Sequence, residues 1–113
     1  MVALQRQSHL TRPEFLAYWS DVHAPLVVEL AQVLGIRRYV QCHPISGAEG
    51  DRFGGVRDCD GIAEVWFRSV EPEHIRRDDP AYLAAARRLR TDENNFMDRA
   101  RSIVWWGAER TII

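Results

Sequence analysis

The sequence contains no lysine, because all 15 of its basic residues are arginine. A Schiff base with a substrate or with pyridoxal phosphate needs a lysine amine, so covalent catalysis of that kind is excluded. The glycines between positions 47 and 55 form neither a GxGxxG fingerprint nor a P-loop, and they indicate no nucleotide cofactor. We therefore expect a protein that works without a cofactor.

Residues with metal-ligand spacing are also lacking. The four histidines do not fall at such spacings, and the two cysteines, Cys42 and Cys59, form no CxxC motif. We expect no metal site, and we interpret both cysteines as reduced thiols of a cytoplasmic protein.

Charge and hydropathy argue against two more classes of partner. The 15 basic and 16 acidic residues give a net charge of −1, which offers nothing to attract nucleic acid or an anionic membrane. No apolar run is long enough to span a bilayer, and the N-terminus lacks the pattern of a secretory signal. With 113 residues, 46% of them hydrophobic, the chain is expected to form one soluble domain over residues 1–113.

The element pattern predicts the order β-α-β-β-α-β. Thr11 and Glu14 have the spacing of a capping box, which predicts a helix that ends at Gly35. We expect strands over residues 1–7, 36–43, 61–68 and 101–106, a loop over 44–58, a second helix over 80–89, and helical turns over 71–77 and 92–98. This order is typical of a ferredoxin-like α+β sandwich, with a four-stranded antiparallel sheet and both helices on one face.

Both faces of the predicted sheet are apolar. Within residues 62–67, Ile62 and Trp66 lie on one side of the strand, and Ala63, Val65 and Phe67 lie on the other. Two helices can cover only one face, so the other face needs a second cover. We therefore expect a homodimer in which the sheets of two copies pack face to face.

One histidine lies at the edge of an apolar helical stripe. On a helical wheel, Phe15, Trp19 and Leu26 share one side, and His23 lies beside them. An imidazole that faces a core needs a hydrogen-bond partner or a cavity. Two interpretations remain open: a structural histidine bonded to a carbonyl, or a general acid/base in a pocket between helix and sheet. Pro25 adds to the second, because a helix kink opens space there.

Two further positions have a structural and a functional interpretation. Tyr39, Gln41 and His43 share one face of the second strand, which is either simply half-exposed or places the Tyr39 phenol in the cavity of His23. Asp60 precedes the third strand beside a glycine, where turn chemistry alone accounts for it.

Four segments together resemble the EthD domain family of the dimeric α/β-barrel superfamily. They are EFLAYWSDVHAPL at 14–26, IRRYVQ at 36–41, DGIAEVWF at 60–67 and DENNFMD at 92–98. The resemblance implies a homodimer whose two sheets form a barrel, with a ligand pocket in each subunit between helices and sheet. The helix histidine of the family corresponds to His23 and its second-strand tyrosine to Tyr39. A lactone isomerase of similar fold has a cysteine at the position of Val65, so a thiol mechanism is not implied.

Similar proteins are cofactor-free enzymes on small cyclic substrates, or accessory proteins in ether degradation. Our hypothesis is a cofactor-independent dehydration, decarboxylation, isomerisation or cyclisation of a small aromatic or polyketide-like ring. His23 would act as general acid/base and Tyr39 would orient or protonate an oxygen. The residues expected to bind the substrate are Trp19, His43, Asp60, Val65, Phe67 and Phe96.

Two alternatives stay open at this point. One is a cofactor-free monooxygenase of an electron-rich aromatic of the anthrone or quinol type, which oxygen consumption would reveal. The other is a non-catalytic accessory protein that binds a small molecule, which a pocket wall without histidine or tyrosine would favour.

Overall fold

A computed structural model describes residues 1–45, 59–69 and 78–113. Its sheet is antiparallel and has the strand order β2-β3-β1-β4, where β1 is Val2–Leu4, β2 Ile36–Cys42, β3 Gly61–Phe67 and β4 Ile103–Val104. The helices are α1 (Arg12–Tyr18), α2 (Ala24–Leu34) and α3 (Pro80–Phe96). The predicted ferredoxin-like α+β fold is therefore confirmed. The helical turn expected over 71–77, and positions 46–58 of the expected loop, lie outside the described residues.

The ends of the first helical region are the predicted ones. The Glu14 amide donates to the Thr11 hydroxyl oxygen over 3.3 Å, and the Thr11 amide donates to the Glu14 carboxylate over 3.0 Å. This reciprocal pair satisfies two donors that the first turn leaves free. At the other end, Gly35 has a φ of 72°, a left-handed conformation that glycine adopts without a steric penalty.

The helix is interrupted by a π-helical turn, Trp19–His23, between α1 and α2. Pro25 has no amide hydrogen, and its ring crowds the carbonyl of Asp21, four residues earlier. The backbone widens, and the Ala24 amide donates to the Trp19 carbonyl, five residues back. The expected kink thus takes the form of a wide turn, and both ends of this turn, Trp19 and His23, are buried.

Three elements differ from the predicted ones by more than one residue. Helix α3 continues to Phe96 instead of ending near residue 89, because no glycine or proline lies between positions 81 and 96. Strands β1 and β4 are shorter than predicted, because only Val2 and Ala3 have regular partners in β4. Two hydrogen bonds between Met1 and Trp105 extend this pairing at the edge of the sheet.

One face of the sheet carries the core. Tyr39 is paired with Val65, and Gln41 with Ala63, so these four side chains point to the same side of the sheet. Ala63 belongs to the hydrophobic core, which fixes that side as the helix-covered face. The buried members of this core are Leu4, Phe15, Trp19, Ala63, Phe96 and Met97.

Gly61 leaves room for the indole of Trp19. A Cβ atom at position 61 would lie 2.5 Å from Trp19 Cζ3 and 2.9 Å from Cη2, which is too close for either group to stay in place. We therefore expect Gly61→Ala to lower the free energy of unfolding by about 1–3 kcal/mol, the usual cost of overpacking. Urea denaturation measures it.

Measuring Gly61→Ala in a Trp19→Phe background tests whether the cost is steric. Trp19→Phe removes the two indole atoms that the new methyl group would meet. The cost of Gly61→Ala should therefore be smaller in Trp19→Phe than in the natural sequence. Equal costs in the two backgrounds would contradict the steric account.

In the part of the chain that the structure describes, no helix is both long enough and apolar enough to cross a membrane.

Candidate functional site

His23 is held by a carboxylate from helix α3. Its Nδ1 atom lies 2.8 Å from Oδ2 of Asp92, which is on α3. Only 5% of His23 is exposed, and 12% of the Asp92 side chain is exposed. The partner is therefore a side-chain carboxylate, and no carbonyl of the described residues takes the role that the structural interpretation expects.

This pairing assigns the hydrogens of the imidazole. An ionised carboxylate can only accept, so Nδ1 carries the hydrogen that is donated to Asp92. In the neutral ring Nε2 then has a free lone pair, and it can take up a proton. A carboxylate that fixes the tautomer and supports the protonated ring is the arrangement that general bases of this type need.

Asp92 is itself held in place. Its second oxygen, Oδ1, accepts a hydrogen bond of 2.5 Å from the Tyr18 hydroxyl. The Asn95 side-chain amide in turn donates to the Tyr18 oxygen over 3.1 Å. Burial raises the pKa of Tyr18, and the bond to Asp92 raises it further, so Tyr18 remains a neutral donor. Both oxygens of Asp92 therefore have a partner, and the carboxylate is fixed toward His23.

Tyr39 contributes a second polar group to the helix-covered face of the sheet. Its hydroxyl oxygen accepts hydrogen bonds from Trp19 Nε1 over 3.0 Å and from Gln41 Nε2 over 3.1 Å. Burial raises the pKa of Tyr39; the two hydrogen bonds lower it, and the charge of Glu93 raises it. The phenol is therefore neutral at pH 7 and retains its hydrogen.

Glu93 lies close enough to interact electrostatically with both His23 and Tyr39. Burial raises the pKa of Glu93, against the lowering effect of the positive charge of Arg99. The Arg99 guanidinium is 3.8 Å from the Glu93 carboxylate. His23 and Tyr39 are thus both within electrostatic reach of this partly buried acid.

The His23 ring packs against the aromatic rings of the core. The centroid of the Phe96 ring lies 4.8 Å from that of His23 and 5.6 Å from that of Phe15. Phe15 in turn lies 5.7 Å from the Trp19 ring. Because Phe96 and Trp19 have no exposed surface, the contacts that they show are with other protein groups. Their role in binding substrate remains a prediction.

The other predicted binding residues occupy three places. His43 stacks on the Trp19 indole with a centroid distance of 4.8 Å, and Val65 lies opposite Tyr39 in the sheet, so both are next to the hydrogen-bonded pair of Trp19 and Tyr39. Phe67 is at the end of β3 and stacks on Trp106 at 5.6 Å. The contribution of Phe67 to substrate binding stays a prediction.

Asp60 is engaged in an ion-pair cluster. It is 2% exposed and accepts hydrogen bonds from the Arg6 amide and guanidinium and from Arg12 Nε. Burial opposes its ionisation, but these bonds and the charge of Arg6 hold the pKa of Asp60 below its usual value. The cluster fastens the segment before α1 to the start of β3, next to the Trp19 ring above Gly61.

The sequence interpretation missed Asp92 as the partner of His23. Asp92 and Phe96 are four residues apart, so they share one helical face only if α3 continues through both. A helix that ends at residue 89 does not place Asp92 and Phe96 on one face. The strand alternation predicts the face of Gln41, but it does not predict the bonds from Gln41 to Tyr39 and to the Trp19 carbonyl.

The EthD domain matches residues 7–100, which include His23, Tyr39 and Asp92. A curated relative from Metarhizium robertsii, a conidial pigment biosynthesis dehydratase called EthD, is 28% identical over 109 residues; the alignment covers 90% of this chain and 75% of the relative. No solved structure matches the chain significantly.

Proposed function

The chain belongs to the EthD domain family, and from this membership and the geometry around His23 we propose that it is a cofactor-independent enzyme. The proposed reaction is the loss of water from a small hydroxylated ring ketone of the aromatic polyketide type. His23 is the general acid/base, and Tyr39 binds the ketone oxygen.

One observation supports this proposal above the others. The His23 ring is buried, its Nδ1 is bonded to Asp92 over 2.8 Å, and Asp92 is fixed by Tyr18. A purely structural histidine would be satisfied by one neutral acceptor. Here both oxygens of the Asp92 carboxylate accept hydrogen bonds, and Nε2 is the basic atom of the His23 ring. Burying such a pair costs free energy, and pairs of this kind cluster at functional sites.

The proposed step needs only proton transfers. His23 Nε2 removes a proton from the carbon beside the ketone, and the electron pair of the C–H bond forms an enolate whose oxygen is hydrogen-bonded by Tyr39. The enolate then forms a C=C bond while the neighbouring C–O bond breaks. The leaving hydroxyl takes the proton from His23 and departs as water, which restores the neutral ring.

The name of the relative favours dehydration among the reactions that such a site can perform. That protein is called a dehydratase of conidial pigment biosynthesis. Decarboxylation, isomerisation and cyclisation use the same base and the same oxyanion donor, so the site geometry alone is compatible with them.

A substrate panel tests the proposal. The protein is incubated with β-hydroxy ring ketones that become aromatic when they lose water, and product absorbance and oxygen uptake are followed together. We expect product formation above the uncatalysed rate without oxygen uptake, and unchanged activity after exhaustive chelation. Oxygen uptake matched to product would favour the monooxygenase alternative. Saturable binding of these ketones without turnover would favour an accessory role.

We further propose that two copies pair through the face of the sheet that none of the described helices covers. Ile103 and Ala3 are paired on this open face, opposite in direction to the core residue Ala63. Ile103 is 68% exposed and Trp105 is 63% exposed. Apolar groups this exposed on one sheet face are typical of a protein interface.

A charge on the open face should weaken this dimer. We expect Ile103→Glu to shift the monomer–dimer equilibrium toward monomer by at least about tenfold, because an unpaired carboxylate would be buried in the interface. The control is Val28→Glu, which makes the same kind of change at a site on α2 that is 73% exposed. Sedimentation equilibrium measures both. Wild-type protein that is monomeric at micromolar concentration, or equal dissociation of the two variants, would contradict the proposal.

Ile103 gives a cleaner test than Trp66 on the same face. The guanidinium carbons of Arg37 and Arg38 lie 5.7 and 5.9 Å from the Trp66 ring centroid. A glutamate at position 66 would therefore find two cations beside it, and its charge would be compensated.

A further inference from the structure

Gln41 joins Trp19, Tyr39 and His43 in one hydrogen-bond network. Its Nε2 atom lies 2.8 Å from the Trp19 carbonyl oxygen and 3.1 Å from the Tyr39 hydroxyl oxygen. Its Oε1 atom lies 2.9 Å from His43 Nε2. The amide is half-buried, and its nitrogen and its oxygen each have a partner.

The chemistry of these partners fixes the direction of every bond. A backbone carbonyl can only accept, so the atom that faces the Trp19 carbonyl must be the amide nitrogen. Its two hydrogens then go to that carbonyl and to Tyr39. The amide oxygen faces His43, so His43 Nε2 must carry a hydrogen and donate it.

Tyr39 consequently has one direction left for its own hydrogen. An indole nitrogen is a donor only, so Trp19 Nε1 donates to the Tyr39 oxygen, as Gln41 does. These two bonds occupy both lone pairs of the phenol. Among the described residues no acceptor is found for the phenol hydrogen.

We infer that Gln41 is a positioning residue which, together with Trp19, commits the Tyr39 hydroxyl to donating its hydrogen to an acceptor oxygen of the substrate. This inference rests on the proposed function, because it assumes that Tyr39 meets the substrate. It also narrows the substrate class, since the oxygen bound at Tyr39 is a carbonyl or enolate oxygen. A substrate hydroxyl that must donate would find no free lone pair on Tyr39.

Gln41→Glu tests the direction of the bond. A carboxylate at this position accepts a hydrogen from Tyr39 instead of donating one, so the phenol hydrogen turns away from the substrate. We expect kcat to fall roughly 10–100-fold, the effect of one lost hydrogen bond to developing charge, with little change in KM. Gln32→Glu is the matched control, because it makes the same change at an exposed position of α2 and should leave kcat unchanged.

A double-mutant comparison separates positioning from a structural role. If Gln41 acts through Tyr39, Gln41→Glu should have no further effect on kcat once Tyr39 is replaced by phenylalanine. Losses that multiply in the double variant would overturn the inference. Gln41→Met, which is neutral and has no donor, should show the same lack of additivity, and it replaces the glutamate variant if that one does not fold.

A second readout does not depend on turnover. The three tyrosines are replaced biosynthetically by 3,5-difluorotyrosine, whose more acidic phenol can be titrated while the protein is folded, and the Tyr39 fluorine signal is assigned with Tyr39→Phe. We expect Gln41→Glu to raise the pKa of the residue at 39 by at least about one unit, because a donor is replaced by a negative charge. An unchanged titration would overturn the inference. A raised pKa without turnover of any ketone would keep the Gln41–Tyr39 coupling and reject the proposed reaction.

Discussion

Replacing His23 with alanine is expected to lower the rate of the chemical step on the order of 10²–10⁴-fold, the usual contribution of one positioned acid/base. The variant has no atom that can take the substrate proton, while Tyr39 and its two donors stay in place. Single-turnover rates on the ring ketone that wild-type protein converts measure the effect. The loss should appear in kcat and kcat/KM alike, because the proton is transferred only in the transition state.

The alanine variant also changes the surroundings of Asp92. That carboxylate loses its bond to Nδ1 but keeps the one from Tyr18, so some stability is lost with the activity. His23→Asn is the matched control, because its amide nitrogen can take the place of Nδ1 and still donate to Asp92. We expect it to be as inactive as the alanine variant and more stable. Turnover equal to wild type in either folded variant would mean that His23 is structural.

The sequence identified the ends of the first helical region for a local physical reason. Thr11 and Glu14 satisfy each other's backbone donors, and Gly35 adopts the left-handed conformation that closes the helix. Both signals depend only on residues within one turn. Such interactions do not need the rest of the fold, so they can be predicted before it is known.

The partner of His23 depends on packing between distant segments and was not predictable in this way. Asp92 lies 69 residues away, and its role requires α3 to continue past residue 89. The segment contains Asn94 and Asn95, which have low helix propensity, so local preference argued for a break. Burial of Phe96 against Phe15 and His23 favours the continued helix instead.

The direction of the Tyr39 hydroxyl is a further property that a strand pattern cannot supply. Alternation predicts that Tyr39, Gln41 and His43 share a face, and the pairing with Val65 and Ala63 confirms this for Tyr39 and Gln41. The Trp19 carbonyl and indole decide which atom donates to which, and Trp19 is the first residue of the π-helical turn.

Replacing Trp19 with alanine is expected to lower the free energy of unfolding by about 3–5 kcal/mol, as is usual for a fully buried aromatic ring. Trp19 has no exposed surface; it packs on Phe15, stacks on His43 and lies above Gly61. The total stability of a domain this size is about 5–15 kcal/mol, so the variant loses a large fraction of it. Urea denaturation at one fixed protein concentration measures the change, since association would add to the apparent stability.

Two control variants are compared with Trp19→Ala. Val28→Ala truncates an apolar side chain that is 73% exposed and should stay within about 0.5 kcal/mol of wild type. Trp19→Phe keeps most of the ring volume but deletes the donor to Tyr39, so its loss of stability should be smaller than that of Trp19→Ala. The Tyr39 oxygen then retains only the bond from Gln41. A loss in Trp19→Ala no larger than in Val28→Ala would show that this indole is not part of the packed core.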